Sequence, residues 1–422
     1  MERALLVFVH LEEDTDTEQA REELKALALA CEMEPVALIE QNMQLVNKAF
    51  YIGTGKVEEV CRLADTLDAD LVVFDDALSP MQLRNLQKAV GKPVLDRTTL
   101  ILEIFSRRAK TREAKLQVEV ARLQYMLPRL VGLHDALSRQ GGGSGVSNKG
   151  AGEKKLELDR RKIEHRISEL QKELKEVGRE RETQSKQRNA SGILKVALVG
   201  YTNAGKSTLM NRMLAHCEMA EGKKVLEKDM LFATLETTVR KIRADKNFTF
   251  LLSDTVGFIS KLPHHLVKAF RSTLEEVKRA DLILLVVDYH DPYYKEQLKV
   301  TQETLRELGA AHIPAIYVYN KADLCDVRIP KVAGQRIYMS AKQGIGMEEL
   351  IEEIRRQAQK GYVSCRMCIP FARGEVFSYL KEQAVIERTD YTAEGIRITL
   401  RCRQADYDKY AEYVEKAPSP NL

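Results

Sequence analysis

The stretch GYTNAGKST, residues 200–208, decides the fold of the central part of the chain. It follows the apolar run at 193–199 and precedes LMNRML, which has helical character. Its two glycines, with Lys206 and Ser207, fill the pattern G-x-x-x-x-G-K-[ST], in which backbone N–H groups of a turn surround phosphate oxygens. The following helix adds the positive end of its dipole. The stretch predicts a phosphate-binding loop of a doubly wound α/β domain, with a nucleoside triphosphate as ligand.

The side chains of this loop have separate expected roles. Lys206 can reach the β- and γ-phosphates, and the Ser207 hydroxyl can ligate Mg²⁺. The residues expected to contact the nucleotide here are Gly200, Tyr201, Thr202, Asn203, Ala204, Gly205, Lys206, Ser207 and Thr208.

A second motif predicts which base is bound. Residues 315–319, AIYVY, indicate a buried strand, and NKAD follows at its carboxyl end, where ligands collect in doubly wound sheets. The Asp323 carboxylate can accept from both N1–H and the exocyclic amine of guanine, a donor pair that adenine lacks. The residues SAK at 340–342 follow the next apolar strand. GTP is therefore the expected nucleotide, with base contacts from Asn320, Lys321, Asp323, Ser340, Ala341 and Lys342.

Between these motifs lies DTVG, residues 254–257, directly after a predicted strand. Asp254 is expected in the Mg²⁺ shell, and the Gly257 N–H can bond the γ-phosphate, with Thr255 and Val256 between them. Many GTPases carry a glutamine next, which orients the attacking water, but here the residue is Phe258. Either Phe258 packs against the sheet edge, or intrinsic hydrolysis is slow and a partner completes the site. We favour the second interpretation.

The other switch is expected within residues 218–239. Thr234, in the motif FATL, is the preferred ligand for Mg²⁺ and the γ-phosphate, with Thr237 and Thr238 as alternatives. In related GTPases, an asparagine at the position of Asn203 helps to hold a K⁺ ion that substitutes for a catalytic positive charge; the alternative is that it only shapes the loop. The residues expected to act in hydrolysis are Lys206, Thr234, Asp254 and Gly257.

Length, charge and cysteine content narrow the class of protein. A chain of 422 residues with a net charge of +4 is long enough for several domains. Residues 97–190 hold 22 Lys and Arg against 13 Asp and Glu, so a basic segment lies within an otherwise acidic chain and suggests a polyanionic partner. Seven scattered cysteines without an export signal favour reduced thiols in a cytoplasm, and no apolar stretch reaches the length of a membrane span. A monomer is the expected state in solution. Cys365 and Cys368 are expected to be core residues and not a metal site.

Four units are predicted along the chain. Residues 1–95 alternate strands (ALLVFVH, PVALIE, AFYIGTG, DLVVFDDAL) with helices at 17–31 and 56–67, which indicates a small α/β unit with a parallel sheet. The segment GTGK at 53–56 has the wrong glycine spacing for a second phosphate loop and suits a tight strand–helix turn. The GTPase domain is expected at 191–360, and a small α+β domain at 361–422.

The unit at 96–190 is predicted to be a helical hairpin. Apolar residues at 116, 120, 123, 127 and 130 form an a/d seam, which returns at 163, 167, 170, 174 and 177. The glycine-rich stretch at 141–152 is the expected flexible tip, and Pro128 is expected to kink or interrupt the first arm. The hairpin is either a spacer or, as its basic balance favours, an element that contacts RNA through Arg139, Lys149, Lys154 and Lys155.

The chain resembles the HflX family of GTPases over nearly its whole length. The resemblance rests on IGTGKVEEV (52–60), LSPMQLRNL (78–86) and the block from Asp96 to Leu130, joined to a GTPase domain with GYTNAGKST, LFATLETTVR and DTVGFI. It implies a cytoplasmic GTPase that binds the 50S subunit through rRNA. The hairpin would enter near the peptidyl-transferase centre, and the GTP form would split or rescue stalled 70S ribosomes under stress. Hydrolysis would be slow alone and stimulated by the ribosome.

Three other functions remain open from the sequence. The first is a GTPase of large-subunit assembly or quality control, which would favour immature particles. The second is an RNA-remodelling NTPase with additional ATP activity in its N-terminal domain. The third is a signalling switch with a protein partner, for which ribosomes would not stimulate hydrolysis.

Overall fold

A computed structural model describes residues 1–11, 17–140, 146–190, 193–217, 231–232, 237–245, 248–261, 263, 266 and 271–415. The fold is mixed α/β with several units, as the sequence predicts. No helix in these described ranges is both long enough and apolar enough to span a bilayer.

The N-terminal unit is a four-stranded, all-parallel sheet in the order β2-β1-β3-β4. Strand β1 is apolar on both faces, because helices cover both: Leu6 and Phe8 pack with α1 and α4, while Leu5 and Val7 pack with α2 and α3. The strands are β1 (Glu2–Leu11), β2 (Met33–Met43), β3 (Leu71–Phe74) and β4 (Val94–Asp96). The helices are α1 (Thr17–Ala30), α2 (Thr54–Thr66), α3 (Pro80–Val90) and α4 (Arg97–Arg108).

The predicted strand at AFYIGTG is wrong. The segment is a turn, because the Asn47 side chain accepts the N–H groups of Ala49 and Phe50 at 2.8 and 3.0 Å and so takes the place of a strand partner. Gly53 then caps α2, and its N–H donates to the Gln41 side chain at 3.0 Å. The segment GTGK therefore forms the N-cap and the first turn of α2, and it follows a turn where a strand was expected. The fourth strand of the sheet is instead β4, which the sequence analysis did not identify.

The hairpin is formed by α5 (Arg112–Gln140) and α6 (Val146–Ala190). Its predicted seam is confirmed at the base, where Leu116, Val120 and Leu170 form one buried cluster. The first arm continues through Pro128 without interruption. Helix α6 begins at Val146, inside the predicted tip, because only two of residues 146–152 are glycine. The side chains of Arg139, Lys149, Lys154 and Lys155 lie outside the described part of the structure.

The GTPase unit contains a seven-stranded sheet in the order β10-β11-β9-β8-β5-β7-β6. Its centre is parallel and buried on both faces, as the continuous apolar runs predict, and the two outermost strands are antiparallel to their neighbours. The strands are β5 (Leu194–Gly200), β6 (Thr238–Arg243), β7 (Thr249–Asp254), β8 (Leu282–Asp288), β9 (Ala315–Asn320), β10 (Lys331–Ala333) and β11 (Arg336–Tyr338). The helices are α7 (Lys206–His216), α8 (Arg271–Lys278), α9 (Tyr294–Glu307) and α10 (Met347–Ala358).

The C-terminal unit is an antiparallel sheet in the order β12-β14-β13, packed on one face by helices, as predicted. Its elements are β12 (Tyr362–Ile369), α11 (Gly374–Gln383), β13 (Val385–Tyr391), β14 (Ile396–Arg403) and α12 (Gln404–Lys409). Cys365 faces the core, with its Sγ 3.9 Å from that of Cys402. Cys368 lies three positions further along the same strand and so faces the opposite side, which corrects the expectation that both are core residues.

Candidate nucleotide-binding site

The predicted phosphate loop connects β5 to α7. A Cβ at Gly200 would lie 2.1 Å from the Val286 carbonyl oxygen, so no larger residue fits beside β8. Gly205 has φ +91°, and a Cβ there would lie 2.2 Å from Nδ2 of Asn320. Both motif glycines are therefore required by the backbone itself. Thr208 lies in the first turn of α7.

Lys206 lies beneath this loop. Its Nζ donates to the carbonyl oxygens of Gly200 and Tyr201 at 2.9 and 2.6 Å. Burial lowers the pKa of Lys206 to about 8, although the Asp254 carboxylate acts in the opposite direction. Bound phosphate would bring negative charge to this buried ammonium and favour its protonated form.

The expected metal ligands meet at the start of α7. The Ser207 Oγ donates to Oδ2 of Asp254 at 2.7 Å. Thr255 follows β7 directly, and its hydroxyl donates to the Leu198 carbonyl of β5 at 2.6 Å. This hydrogen bond holds the end of β7 against β5. A hydroxyl and a buried carboxylate side by side are the oxygen ligands that Mg²⁺ prefers, so the residues present fit this ion.

The predicted base-binding motifs converge on the same edge of the sheet. The Asn320 side chain donates to the Ala204 carbonyl at 2.9 Å and accepts the Ala341 N–H at 2.9 Å, so it ties both loops together. Lys321 pairs with Asp288 at 2.7 Å. The Asp323 carboxylate accepts from the Gln343 side chain at 3.0 Å. Two further predicted residues flank this edge: Ser340 is fully buried, and the Lys342 carbonyl accepts from Arg212.

The segment after β7 lies directly on the phosphate loop. The Phe258 N–H donates to the Gly200 carbonyl at 3.1 Å, and the Phe258 carbonyl accepts the Thr202 N–H at 2.8 Å. A Cβ at Gly257 would lie 2.8 Å from the Thr202 Cα and 3.0 Å from the Lys206 Nζ. This conformation therefore closes DTVG onto the loop.

Phe258 is part of the hydrophobic core. Its side chain is 2 % exposed and belongs to the same cluster as Val199, Val277 and Leu285. This packing is the first of the two interpretations considered for this residue. A buried phenyl ring has no group that could orient water.

The other switch is only partly described. Thr234 lies outside the described residues, while Thr237 precedes β6 and Thr238 begins it. Phe232 is 2 % exposed and packs edge-on against Phe105 of α4, with ring centroids 4.7 Å apart. Phe232 is therefore anchored on the N-terminal unit.

Three family models match the chain. The N-terminal region of a GTP-binding GTPase matches residues 18–106, the middle region of such a GTPase matches 108–188, and a 50S ribosome-binding GTPase matches 195–321.

Curated relatives match over nearly the full length. The GTPase HflX of Caldanaerobacter subterraneus subsp. tengcongensis is 44 % identical over 397 residues, which cover 94 % of this chain and 90 % of the relative. That of Escherichia coli strain K12 is 35 % identical over 413 residues, which cover 96 % and 94 %. This chain belongs to the HflX family of GTPases. Its activity is GTP hydrolysis, and GTP is its substrate.

A solved structure is also similar to this HflX-family chain. It is a GTP-binding protein from the hyperthermophilic archaeon Sulfolobus solfataricus in complex with GDP. The two are 25 % identical, with a TM-score of 0.45, and the match covers 85 % of this chain and 99 % of that protein.

A buried polar network joins the N-terminal unit of this HflX-family GTPase to its candidate nucleotide site. The Arg97 guanidinium, 2 % exposed, donates to Asp75 at 2.6 Å and to Glu23, and it also donates to the carbonyl of Ser260 at 3.0 Å. Tyr201 of the phosphate loop donates its hydroxyl to Glu23 and accepts the Ser260 N–H at 2.8 Å.

The electrostatics of the network are those of a buried ion cluster. Burial alone would lower the pKa of Arg97, but Asp75 and Glu23 raise it above its ordinary value. Burial raises the pKa of Asp75, against the opposing effect of Arg97 and Lys261. Burial and the neighbouring Glu23 hold the pKa of Tyr201 well above its usual range. Arg97 is therefore charged, and Tyr201 keeps its proton.

Sequence reasoning missed this network. Its members are far apart in the chain, at positions 23, 75, 97, 201 and 260. The available signal was Arg97 at the start of RTTLILEIF, a stretch in which an unpaired charge would be costly to bury.

Proposed function

We propose that this GTPase binds the large ribosomal subunit and that its GTP form splits or rescues stalled 70S ribosomes in the cytoplasm. The observation that carries the proposal is a long helical hairpin within a basic segment, joined to a domain that matches the 50S ribosome-binding GTPase model. The basic segment provides charge for rRNA phosphates, whose contacts make affinity fall steeply with salt. The protein is proposed to act as a monomer.

The site residues support a switch mechanism. Lys206 and the loop N–H groups would hold the phosphates, and Asp323 would bind guanine. Ser207, Asp254 and Thr234 would hold Mg²⁺, which neutralises charge on the β- and γ-phosphate oxygens when bound. Since Gly257 lies against Thr202 and Lys206, a third phosphate would displace DTVG from the loop. The two nucleotide states would then differ in affinity for the ribosome, and this difference supplies the work.

The buried Phe258 supports slow intrinsic hydrolysis. Its ring carries no group that orients water, so we propose that the ribosome supplies or repositions the missing group. This is the feature that makes hydrolysis dependent on the partner.

Replacing the basic residues of the hairpin tip tests the proposed function. The variant with Arg139, Lys149, Lys154 and Lys155 all changed to Gln is expected to split 70S ribosomes poorly in sedimentation assays, because the candidate rRNA contacts are lost. GTP affinity should stay unchanged, since the tip is remote from the phosphate loop in the sequence. A matched control changes Lys172, Lys175, Arg160 and Arg161 to Gln. Full splitting by the tip variant would contradict a role for the tip.

We propose that Asn203 helps to hold a K⁺ ion at the phosphates. Its side chain is exposed on the loop and its φ is +62°, a conformation that asparagine and glycine tolerate. Replacing K⁺ by Na⁺ at constant ionic strength is expected to slow hydrolysis by wild type. Asn203→Gly keeps the left-handed backbone but removes the amide, so it should lose the preference for K⁺. A wild-type rate that is equal in both salts would reject the ion; a K⁺ preference that survives in Asn203→Gly would reject the residue.

A further inference from the structure

We propose that Arg97 is a positioning residue for GTP hydrolysis, although it lies outside the GTPase domain. With its neighbour Asp96, it would transmit the position of the hairpin to the segment that follows DTVG. The inference rests on the proposed function, since it takes the ribosome as the partner that moves the hairpin.

One arm of this relay leads from Arg97 to the nucleotide. The guanidinium donates to both the carbonyl and the hydroxyl of Ser260, at 3.0 and 3.1 Å. Ser260 follows Phe258 by two residues, and Phe258 is bonded through its backbone to Gly200 and Thr202. Ser260 also donates its N–H to Tyr201 of the phosphate loop. A shift of Arg97 therefore acts on DTVG and on the loop together.

The other arm leads from Asp96 to the base of the hairpin. The Asp96 carboxylate is fully buried and accepts from Arg129 of α5 at 2.8 Å and from the Tyr125 hydroxyl. Arg129 also donates to the Leu78 carbonyl at 2.8 Å, and its guanidinium lies 3.4 Å from the centroid of the Tyr125 ring. Helix α5 is thus fixed to this carboxylate by an ion pair and two hydrogen bonds, while the stacking of Arg129 on Tyr125 holds the two donors together within α5.

The two arms meet in the backbone. Asp96 caps α4 by accepting the Thr99 N–H at 2.9 Å, and Arg97 is the first residue of that helix. Consecutive Cα atoms are held about 3.8 Å apart, so a shift of the backbone at one of these residues also shifts the other. Both are buried ions with charged partners, and separating either from its partners leaves an uncompensated charge, which is strongly unfavourable. Asp96, Arg97 and their charged partners are therefore expected to move together.

This arrangement would couple ribosome binding at the hairpin to the position of the DTVG segment. A particle that displaces the hairpin pulls on Arg129, then on Asp96 and Arg97, and so moves Ser260 and DTVG relative to Lys206. Linkage requires the reverse effect as well: nucleotide bound at the loop must change the attachment of α5.

Weakening the hairpin arm tests the relay in the full-length protein. Arg129→Met removes the ion pair with Asp96. Tyr125→Phe removes one hydroxyl but keeps the ring, so this milder variant should fold normally. Both are expected to keep basal hydrolysis and the KM for GTP. Stimulation of kcat by 50S subunits should fall by about fivefold or more in Arg129→Met, a size typical of substitutions along a coupled path, and by less in Tyr125→Phe.

Arg112→Met is the matched control, because Arg112 lies on the same helix and its ion pair with Glu173 is exposed. Hydrogen exchange of α5 gives a second measurement that needs no ribosome. A non-hydrolysable GTP analogue should change exchange around Tyr125–Arg129 in wild type and not in Arg129→Met. The relay would be overturned by full stimulation in both variants, or by hydrogen exchange of α5 that is the same with and without the analogue. If subunits fail to stimulate wild type but the exchange response is present, the relay stands and the ribosome as activator fails.

Discussion

Asp323→Asn is expected to lower the preference for GTP over ATP by about 10⁴-fold, the discrimination that sites built on paired hydrogen bonds provide. The wild-type carboxylate offers two acceptors, which match N1–H and the exocyclic amine of guanine. An amide offers one acceptor and one donor, so the donor would face the guanine amine. The variant should instead accept xanthine, which has N1–H beside a carbonyl.

The measurement is competition of GTP, ATP and XTP for the purified protein. Asp326→Asn is the control, since it makes the same change at an exposed carboxylate on the same loop. In the structure, the Asp323 carboxylate accepts from the Gln343 amide at 3.0 Å. The competition therefore also tests whether this carboxylate is the group that binds guanine. An unchanged preference for GTP in Asp323→Asn would show that the base is read elsewhere.

Arg97→Met is expected to lower the free energy of unfolding by about 3–5 kcal/mol, the usual result of removing one partner from a buried ion cluster. Methionine fills similar space, but Glu23 and Asp75, 8 % and 1 % exposed, are left without their guanidinium. Ser260 also loses the two hydrogen bonds that it accepts from Arg97 of the N-terminal unit. Urea unfolding followed by circular dichroism provides the measurement.

Arg107→Met is the matched control on the same helix. Its guanidinium pairs with Glu32 and Glu103 at 3.2 Å, but the side chain is 35 % exposed. Exposed pairs contribute about 0–1 kcal/mol, so the control should change stability little. A second variant neutralises the cluster together, as Arg97→Met with Glu23→Gln and Asp75→Asn, and should recover part of the loss. Equal effects of Arg97→Met and Arg107→Met would contradict the account of a buried cluster.

The places of the candidate nucleotide-binding segments in the fold were predictable, because a phosphate loop requires fixed local spacing. Gly200, Gly205 and Lys206 must lie within one turn, and Asn320 must follow a strand at the sheet edge. The structure joins these segments through the Asn320 side chain, which contacts Ala204 and Ala341. The long hairpin was equally predictable, since its seam repeats over many turns.

The network around Arg97 was not predictable in this way. Its pairs are separated by 22 to 237 residues, and no local periodicity records which buried charges meet. The turn at Asn47–Tyr51 was mistaken for a strand because AFYI is apolar and aromatic, while the deciding bonds come from the Asn47 side chain. Strand β4 has three residues, too few to form a pattern.

The most direct test of the proposed function is GTP hydrolysis by the purified protein, alone and with 50S subunits or 70S ribosomes. Lys206→Ala serves as the blank for contaminating activity. We expect slow turnover alone and strong stimulation by the particles, because the buried Phe258 cannot orient water. A rate that is the same with and without ribosomes would contradict it.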